Sequence, residues 1–404
     1  MMDTATRPPV LSRWGRRPGS ALTGPSPAAI KAASVQSSEA AGADALPRRF
    51  GRYLLFDKIG EGGMARIYLG RQRTELGGER LAVVKQMLPF LSSSREFSQL
   101  LIDEAKLAAQ LSHGNIAQVL DLGREEDQLY IAMEYVEGFD LRDLLRHCSK
   151  GKVPLPVEFS LLVVIETLRA LDYAHRKKNE DGQPLGVVHR DVSPSNVLIS
   201  FDGEVKLCDF GIARAIGAGE DVPEEAIQGK AGYMSPEAAG GETLDGRSDV
   251  FAVGVILWEL LAGRRLYKGE KGRPPSLDQA REAVIPALPE RGYPDEAELH
   301  RIAMHALEKD RERRYESAGA MLRELSDYAG EAGLIASPLR FGEWLMDHFG
   351  GEIIERRRAR ERAARRWKPG RCSRRTRSRR SRSPRRSPRP SLASSLRLHR
   401  SRRW

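Results

Sequence analysis

The sequence predicts an α+β chain of two lobes: a small antiparallel β lobe carrying one helix, then a larger, mainly helical lobe. Three observations predict it. Short β-like runs (Tyr53 to Ile59, Arg66 to Arg71, Leu81 to Lys85, Ile116 to Leu122 and Leu129 to Met133) crowd around a single helical segment. After Glu134-Tyr135-Val136-Glu137-Gly138 the apolar spacing turns helical, most strongly over Val157 to Arg176 and Ser248 to Leu261. At 404 residues, 40% apolar and 30% charged, the chain can bury one large or two moderate cores.

The elements follow in order. Residues 1–50 are rich in Pro, Ala, Ser and Gly without apolar periodicity, and are expected to be disordered. The β lobe is expected over residues 51–135 and the helical lobe over 136–335, with Asn179 to Gly186 an exposed turn. Phe341-Gly342-Glu343-Trp344-Leu345 suits a last amphipathic helix, extended by charged residues, so 336–368 reads as a helical extension. Residues 369–404 are Arg, Ser and Pro with almost no core formers, which cannot offset their own ordering entropy.

Charge is unevenly placed. Between Glu355 and Trp404 stand 22 Lys and Arg against two Glu, so that this segment is net +20 and the preceding 354 residues are net −9. The basic balance therefore gives no reason for the body to bind nucleic acid. Cys148, Cys208 and Cys372 form no paired spacing, which predicts a reducing compartment without a disulfide framework or zinc site. The longest apolar stretches contain Glu166 and Glu259 and fall short of the roughly 18 residues of a membrane span, so a cytoplasmic location is expected.

The densest chemistry lies in His189-Arg190-Asp191-Val192-Ser193-Pro194-Ser195-Asn196, followed by Asp209-Phe210-Gly211. Upstream, Gly60-Glu61-Gly62-Gly63-Met64-Ala65-Arg66-Ile67 sits between two strands, where small residues let backbone amides approach phosphate oxygens. Leu81-Ala82-Val83-Val84-Lys85 follows. Phe97, Leu101, Glu104, Ala108 and Leu111 step by four, three, four and three, which puts Glu104 on the apolar face of a helix. A charge there is costly unless paired, and Lys85 would be its partner, with Glu96 and Asp103 as rivals.

Together these motifs resemble those of protein kinases over roughly residues 52 to 330, most nearly the eukaryotic-like serine/threonine protein kinases of bacteria. The resemblance implies a protein-kinase-like fold and ATP-dependent transfer of the γ-phosphate to serine/threonine hydroxyls of protein substrates, autophosphorylation included. The alternative is a nucleotide-binding pseudokinase scaffold. By resemblance, Asp191 accepts the substrate hydroxyl proton, Asn196 and Asp209 bind Mg²⁺, and Lys85, held by Glu104, grips the α and β phosphates. Ile59, Gly60, Glu61, Gly62, Gly63, Ile67 and Ala82 would contact ATP. Met133 would stand at the back of the adenine pocket, with Glu134 to Val136 offering backbone hydrogen bonds. Gly232-Tyr233-Met234-Ser235-Pro236-Glu237 would close the activation loop, Glu237 pairing with Arg314 and Asp249 bracing the catalytic loop.

The chain departs from the family pattern at several places. Ala65 stands where the third glycine usually does. Ser193 replaces the catalytic-loop lysine and Lys230 replaces a threonine, which reads as an exchange in which Lys230 delivers the charge on the γ-phosphate and Ser193 the hydroxyl; the rival reading leaves Lys230 in solvent. Between Gly211 and Tyr233 there is no Ser or Thr. Glu220, Asp221, Glu224 and Glu225 either take the place of an activating phosphate opposite Arg190 or form a solvated acidic loop.

Ser381-Arg382-Ser383-Pro384-Arg385-Arg386-Ser387-Pro388 resembles arginine/serine-rich segments that bind RNA or other polyanions in a salt-dependent way. The opposing reading is a non-specific terminus, even a frame-shifted one. A kinase fold incidental to nucleic-acid association is a third functional class, resting on this tail alone. Substrate, upstream signal and oligomeric state are not legible.

Overall fold

Six strands form the first lobe: Arg48–Phe50 (β1), Tyr53–Glu61 (β2), Ala65–Arg73 (β3), Glu79–Met87 (β4), Val119–Glu125 (β5) and Gln128–Glu134 (β6). They make one antiparallel sheet in the order β1-β2-β3-β4-β6-β5. The computed structural model describes residues 45–62, 65–73, 78–89, 95–125, 127–210, 231–269 and 275–365. Both lobes belong to a single unit within residues 1–367.

Strand alternation divides the sheet into two apolar faces. Leu129, Ile131 and Met133 turn toward the helix Arg95–Ala109 (α1), meeting its Leu101 and Ala105, while Tyr130 and Ala132 turn to the opposite face with Phe50, Tyr53, Tyr68 and Val84. The sheet begins earlier than residue 51. Arg48–Phe50 pairs with β2, and Phe50 packs edge-on against the Tyr130 ring at 5.3 Å. A three-residue strand is too short to show periodicity, which is why the sequence placed it in the leading segment.

The chain leaves β6 through Tyr135 and Val136 into Gly138–Asp140 (β7), which pairs with Val197–Ser200 (β8), itself paired with Val205–Leu207 (β9). The helical lobe follows: Leu141–Gly151 (α2), Val157–His175 (α3), Pro236–Gly240 (α4), Gly246–Ala262 (α5), Leu277–Glu282 (α6), Glu296–Ala306 (α7), Ala318–Glu331 (α8) and Pro338–Arg365 (α9). Its core joins α3, α5, α7 and α8, with Trp258, Phe251 and Leu168 fully buried. The expected turn at 179–186 is closed by a bridge between Lys178 and Pro184 and is exposed through residues 179–184.

Helix α9 runs unbroken through Phe341, Leu345, Phe349 and Ile353, all buried. Its first turns sit on the β8–β9 turn, where a Cβ on Gly342 would lie 2.8 Å from the carbonyl carbon of Asp202. Glycine is required there because backbone meets backbone. No described helix is long and apolar enough to cross a membrane.

Candidate active site

The hairpin of β8 and β9 brings the chemistry together. Asn196 lies just before β8 and Cys208 just after β9, and the Cys208 N–H donates to the Asn196 carbonyl at 2.9 Å, so the next residue, Asp209, is registered beside Asn196. The Asn196 amide donates to the Asp191 carbonyl oxygen at 2.7 Å and to its carboxylate at 3.0 Å. That fixes the orientation of the Asp191 carboxylate and turns the amide nitrogen away from the space an oxygen-seeking cation would use.

A buried carboxylate holds this loop from beneath. Asp249, in the first turn of α5 and 1% exposed, accepts from the backbone N–H of His189 and of Arg190, both at 2.8 Å, and from the His175 ring at 2.8 Å. Burial pushes its pKa up, but the His175 hydrogen bond and the neighbouring N–H groups outweigh this and hold it below the ordinary aspartate range. His189 is itself buried, bonded through Nε2 to the Cys208 carbonyl at 2.9 Å and packed on the Phe210 ring at 4.5 Å. Arg190 and Asp209 take positive φ of 66° and 64°, a strained backbone of the kind that collects at functional sites.

Lys85 pairs with the carboxylate of Asp209 at 3.0 Å. Burial works to lower its pKa, and the Asp209 charge and hydrogen bond raise it above the ordinary lysine value, so the ammonium stays charged inside the cleft. The carboxylate seen on Lys85 is thus that of Asp209, where the sequence pointed to Glu104. Glu104 is buried on the inner face of α1, as its spacing predicts, and borders a small cavity with Ala108, Val188, Arg190 and Phe210. Asp103 is exposed, and the side chains of Glu96 and Phe97 lie outside the described residues.

One assignment moves by a residue. Ala82 does not face the cleft: it is 1% exposed within the cluster of Phe50, Tyr53, Tyr68 and Val84 on the far face of the sheet. Alternation puts Val83 on the same face as Lys85, directly across from Met133 on β6. Counting back two from Lys85 identifies Val83 from sequence alone.

The remaining walls agree with an apolar slot. Ile59 leaves nearly half its surface exposed, Gly60 is paired with Ile67 across β2 and β3, and the Gly62 N–H closes the turn on the Ala65 carbonyl at 3.0 Å, with Glu61 drawn outward by Lys58 and Arg66. Gly63 lies outside the described residues. Met133, with Ala105, Ala108, Ala117, Asp209 and Phe210, lines a cavity behind the slot. Glu134 donates its N–H to the Gln118 carbonyl at 2.8 Å and is paired with Lys206 at 3.0 Å. Val136 has neither backbone group bonded to other backbone among the described residues, leaving its N–H and C=O open to a planar heterocycle.

Toward the substrate side, a cavity beside Asp191 is lined by Val192, Tyr233, Met234, Ser235 and Leu244. The segment carrying it is pinned by Glu237, which receives two hydrogen bonds from Arg314 at 2.6 and 2.7 Å, the pair expected from sequence. Ser193 is 9% exposed with its hydroxyl 3.1 Å from that of Ser195. Lys230 and the acidic residues 220–225 lie outside the described residues, as does the basic tail.

Comparison with known proteins agrees with this geometry. The protein kinase domain family matches residues 53–324. The chain is 39% identical over 326 residues to the tyrosine-protein kinase MasK of Myxococcus xanthus, covering 78% of this chain and 49% of that protein. It is 35% identical over 280 residues to the serine/threonine-protein kinase PknB of Mycobacterium tuberculosis, covering 68% and 42%. It thus spans half or less of the length of these curated relatives. The kinase domain of PknI from Mycobacterium tuberculosis superposes with a TM-score of 0.51 at 28% identity, over 70% of this chain and 98% of that one. With the two-lobed fold, the braced Asp191 loop and the Lys85–Asp209 pair in place, the chain belongs to the protein kinase domain family, among the bacterial serine/threonine kinases of eukaryotic type.

Proposed function

We propose that the chain is an ATP- and Mg²⁺-dependent protein kinase that phosphorylates serine and threonine hydroxyls of proteins. One observation carries the reading: the Asn196–Asp191 pair and the Lys85–Asp209 pair are held side by side in the cleft between the lobes by the backbone bond from Cys208 to Asn196. Asp191, oriented by Asn196 from one side and by the Asp249-braced loop from the other, accepts the hydrogen bond of the incoming hydroxyl and takes its proton. Lys85 holds the α and β phosphates, and Ile59, Val83 and Met133 enclose the adenine against the open backbone groups of Val136. The amide oxygen of Asn196 and the carboxylate of Asp209 are hard donors suited to Mg²⁺, which supplies neutralisation of the phosphate charge when bound.

Glu104, buried on the inner face of α1, is the carboxylate that holds Lys85 in place when nucleotide is bound. Lys230 delivers the positive charge at the γ-phosphate and Ser193 supplies the hydroxyl. A cytoplasmic location and salt-dependent contact of the basic tail with polyanions belong to the same proposal and rest on sequence alone.

Similarity to MasK, named as a tyrosine kinase, favours tyrosine as a second acceptor class. Phosphoamino-acid analysis of protein labelled from γ-labelled ATP separates the two. Label on serine or threonine supports the first reading; label on tyrosine alone replaces it with the second.

A further inference from the structure

The last turns of α9 lie against the connection between the lobes, on residues that flank Val136. Arg360 forms an ion pair with the Glu137 carboxylate at 2.9 Å and lays its guanidinium 5.0 Å from the centre of the Tyr135 ring. Arg357 donates to the same carboxylate oxygen at 2.9 Å and stands over the Phe201 ring at 5.6 Å. The two arginines thus hold the residue before Val136 and the residue after it. Arg360 is the better buried, with 14% of its side chain exposed against 43% for Arg357, so it carries the larger share.

The grip continues on both sides. Below, Arg356 bonds Asp143 of α2 at 2.9 Å and sits 4.7 Å over the Phe139 ring, and the Glu137 carbonyl accepts the Phe201 N–H at 2.9 Å, which ties the connection to the end of β8. Above, Arg357, Arg360 and Ala364 face Phe56, Arg71 and Leu81 of the sheet across a crevice of about 330 Å³. One helix rooted in the helical lobe therefore reaches the connection and the β lobe. Arginine suits this place because its planar group stacks on a ring while donating along its edge.

We propose that Arg360, seconded by Arg357, is a positioning residue for the nucleotide: α9 fixes the interlobe connection from behind, so that the backbone of Val136 is presented to adenine in one geometry. The assignment rests on the proposed ATP-binding function. Neither arginine touches the reacting atoms, and the effect belongs in nucleotide affinity rather than in the chemical step.

The test uses the full chain and Mg²⁺-ATP, with binding measured by calorimetry and KM and kcat by phosphoryl transfer. The Arg357→Ala, Arg360→Ala double variant is expected to weaken ATP binding roughly fivefold or more, within the usual span of coupling between sites, with KM rising and kcat changing by less than about twofold. Arg358→Ala, on the exposed face of the same turn, is expected to match the native chain. Arg360→Ala in a Glu137→Gln background is expected to add less than it does alone. If the double variant folds poorly, Glu137→Gln by itself carries the test and is expected to weaken binding in the same direction. Unchanged ATP affinity in the double variant, or in Glu137→Gln, overturns the proposal. Native protein that binds no ATP overturns the kinase reading as well, whereas native binding with unaffected variants overturns the brace alone.

Discussion

Replacing Arg314 by Met removes the ion pair that pins the substrate-side segment, and the loss follows from the geometry. Arg314 is fully buried and Glu237 is 5% exposed; the two share a bidentate contact, with Ser248 donating to the same carboxylate at 2.7 Å and Arg314 donating to the carbonyls of Glu308 and Lys309. Burial favours the neutral form of Glu237, yet the Arg314 and Ser248 hydrogen bonds bring its pKa down from 4.5 to about 2. That depression corresponds to about 3 kcal/mol. Removing one partner of a buried pair typically costs about 3–5 kcal/mol, so the two routes agree. The variant is expected to lose that much by urea denaturation at pH 7.5 and to melt about 6 °C or more below the native chain. The native contribution is complete above pH 4.5 and disappears as pH falls toward 2. In the variant the unpaired carboxyl takes up its proton more readily, so the gap between the two proteins narrows on acidification from pH 7.5 to 5.5. Adding Glu237→Gln removes the stranded charge and is expected to recover about half of the loss. A loss under about 1 kcal/mol for Arg314→Met alone would refute the reasoning.

Three further outcomes are expected. Val83→Trp fills the adenine slot and abolishes ATP binding while the fold survives, whereas Ala82→Trp overpacks the far face of the sheet and lowers the melting temperature; thermal shift with and without ATP reads both. Lys230→Thr loses most phosphoryl transfer and Ser193→Lys in the same chain restores it, with a kinase assay as the readout; full activity in the single variant contradicts the exchange. Treatment with a phosphatase leaves the rate of transfer to an added substrate unchanged, since residues 212–232 contain no serine or threonine to be dephosphorylated.

The motifs were legible wherever a local period or a fixed spacing carried them. Glu104 on the inner face of α1 follows from the helical period, whereas the Glu237–Arg314 pair and the Asp249 brace follow from the family resemblance, and each contact or burial is present. Ala82 stands one residue out of register with the cleft face, because strand alternation from Lys85 points to Val83. The Lys85–Asp209 contact was not legible, since it joins residues 124 positions apart and Glu104 offers a second carboxylate. The contacts of Arg357 and Arg360 with Glu137 join residues more than 200 positions apart, and a run of arginines at the end of a helix reads locally as a solvated face. Only the packing of α9 on the β8–β9 turn brings that face to the connection between the lobes.

The most direct test of the central claim is incubation of the purified chain with γ-labelled ATP and Mg²⁺ beside an Asp191→Asn variant, followed by phosphoamino-acid analysis. Phosphoserine or phosphothreonine in the native sample, lost by about a hundredfold or more in the variant, is the result the account predicts. Native protein that transfers no phosphate, or an Asp191→Asn variant that transfers it as well as the native chain, would contradict it.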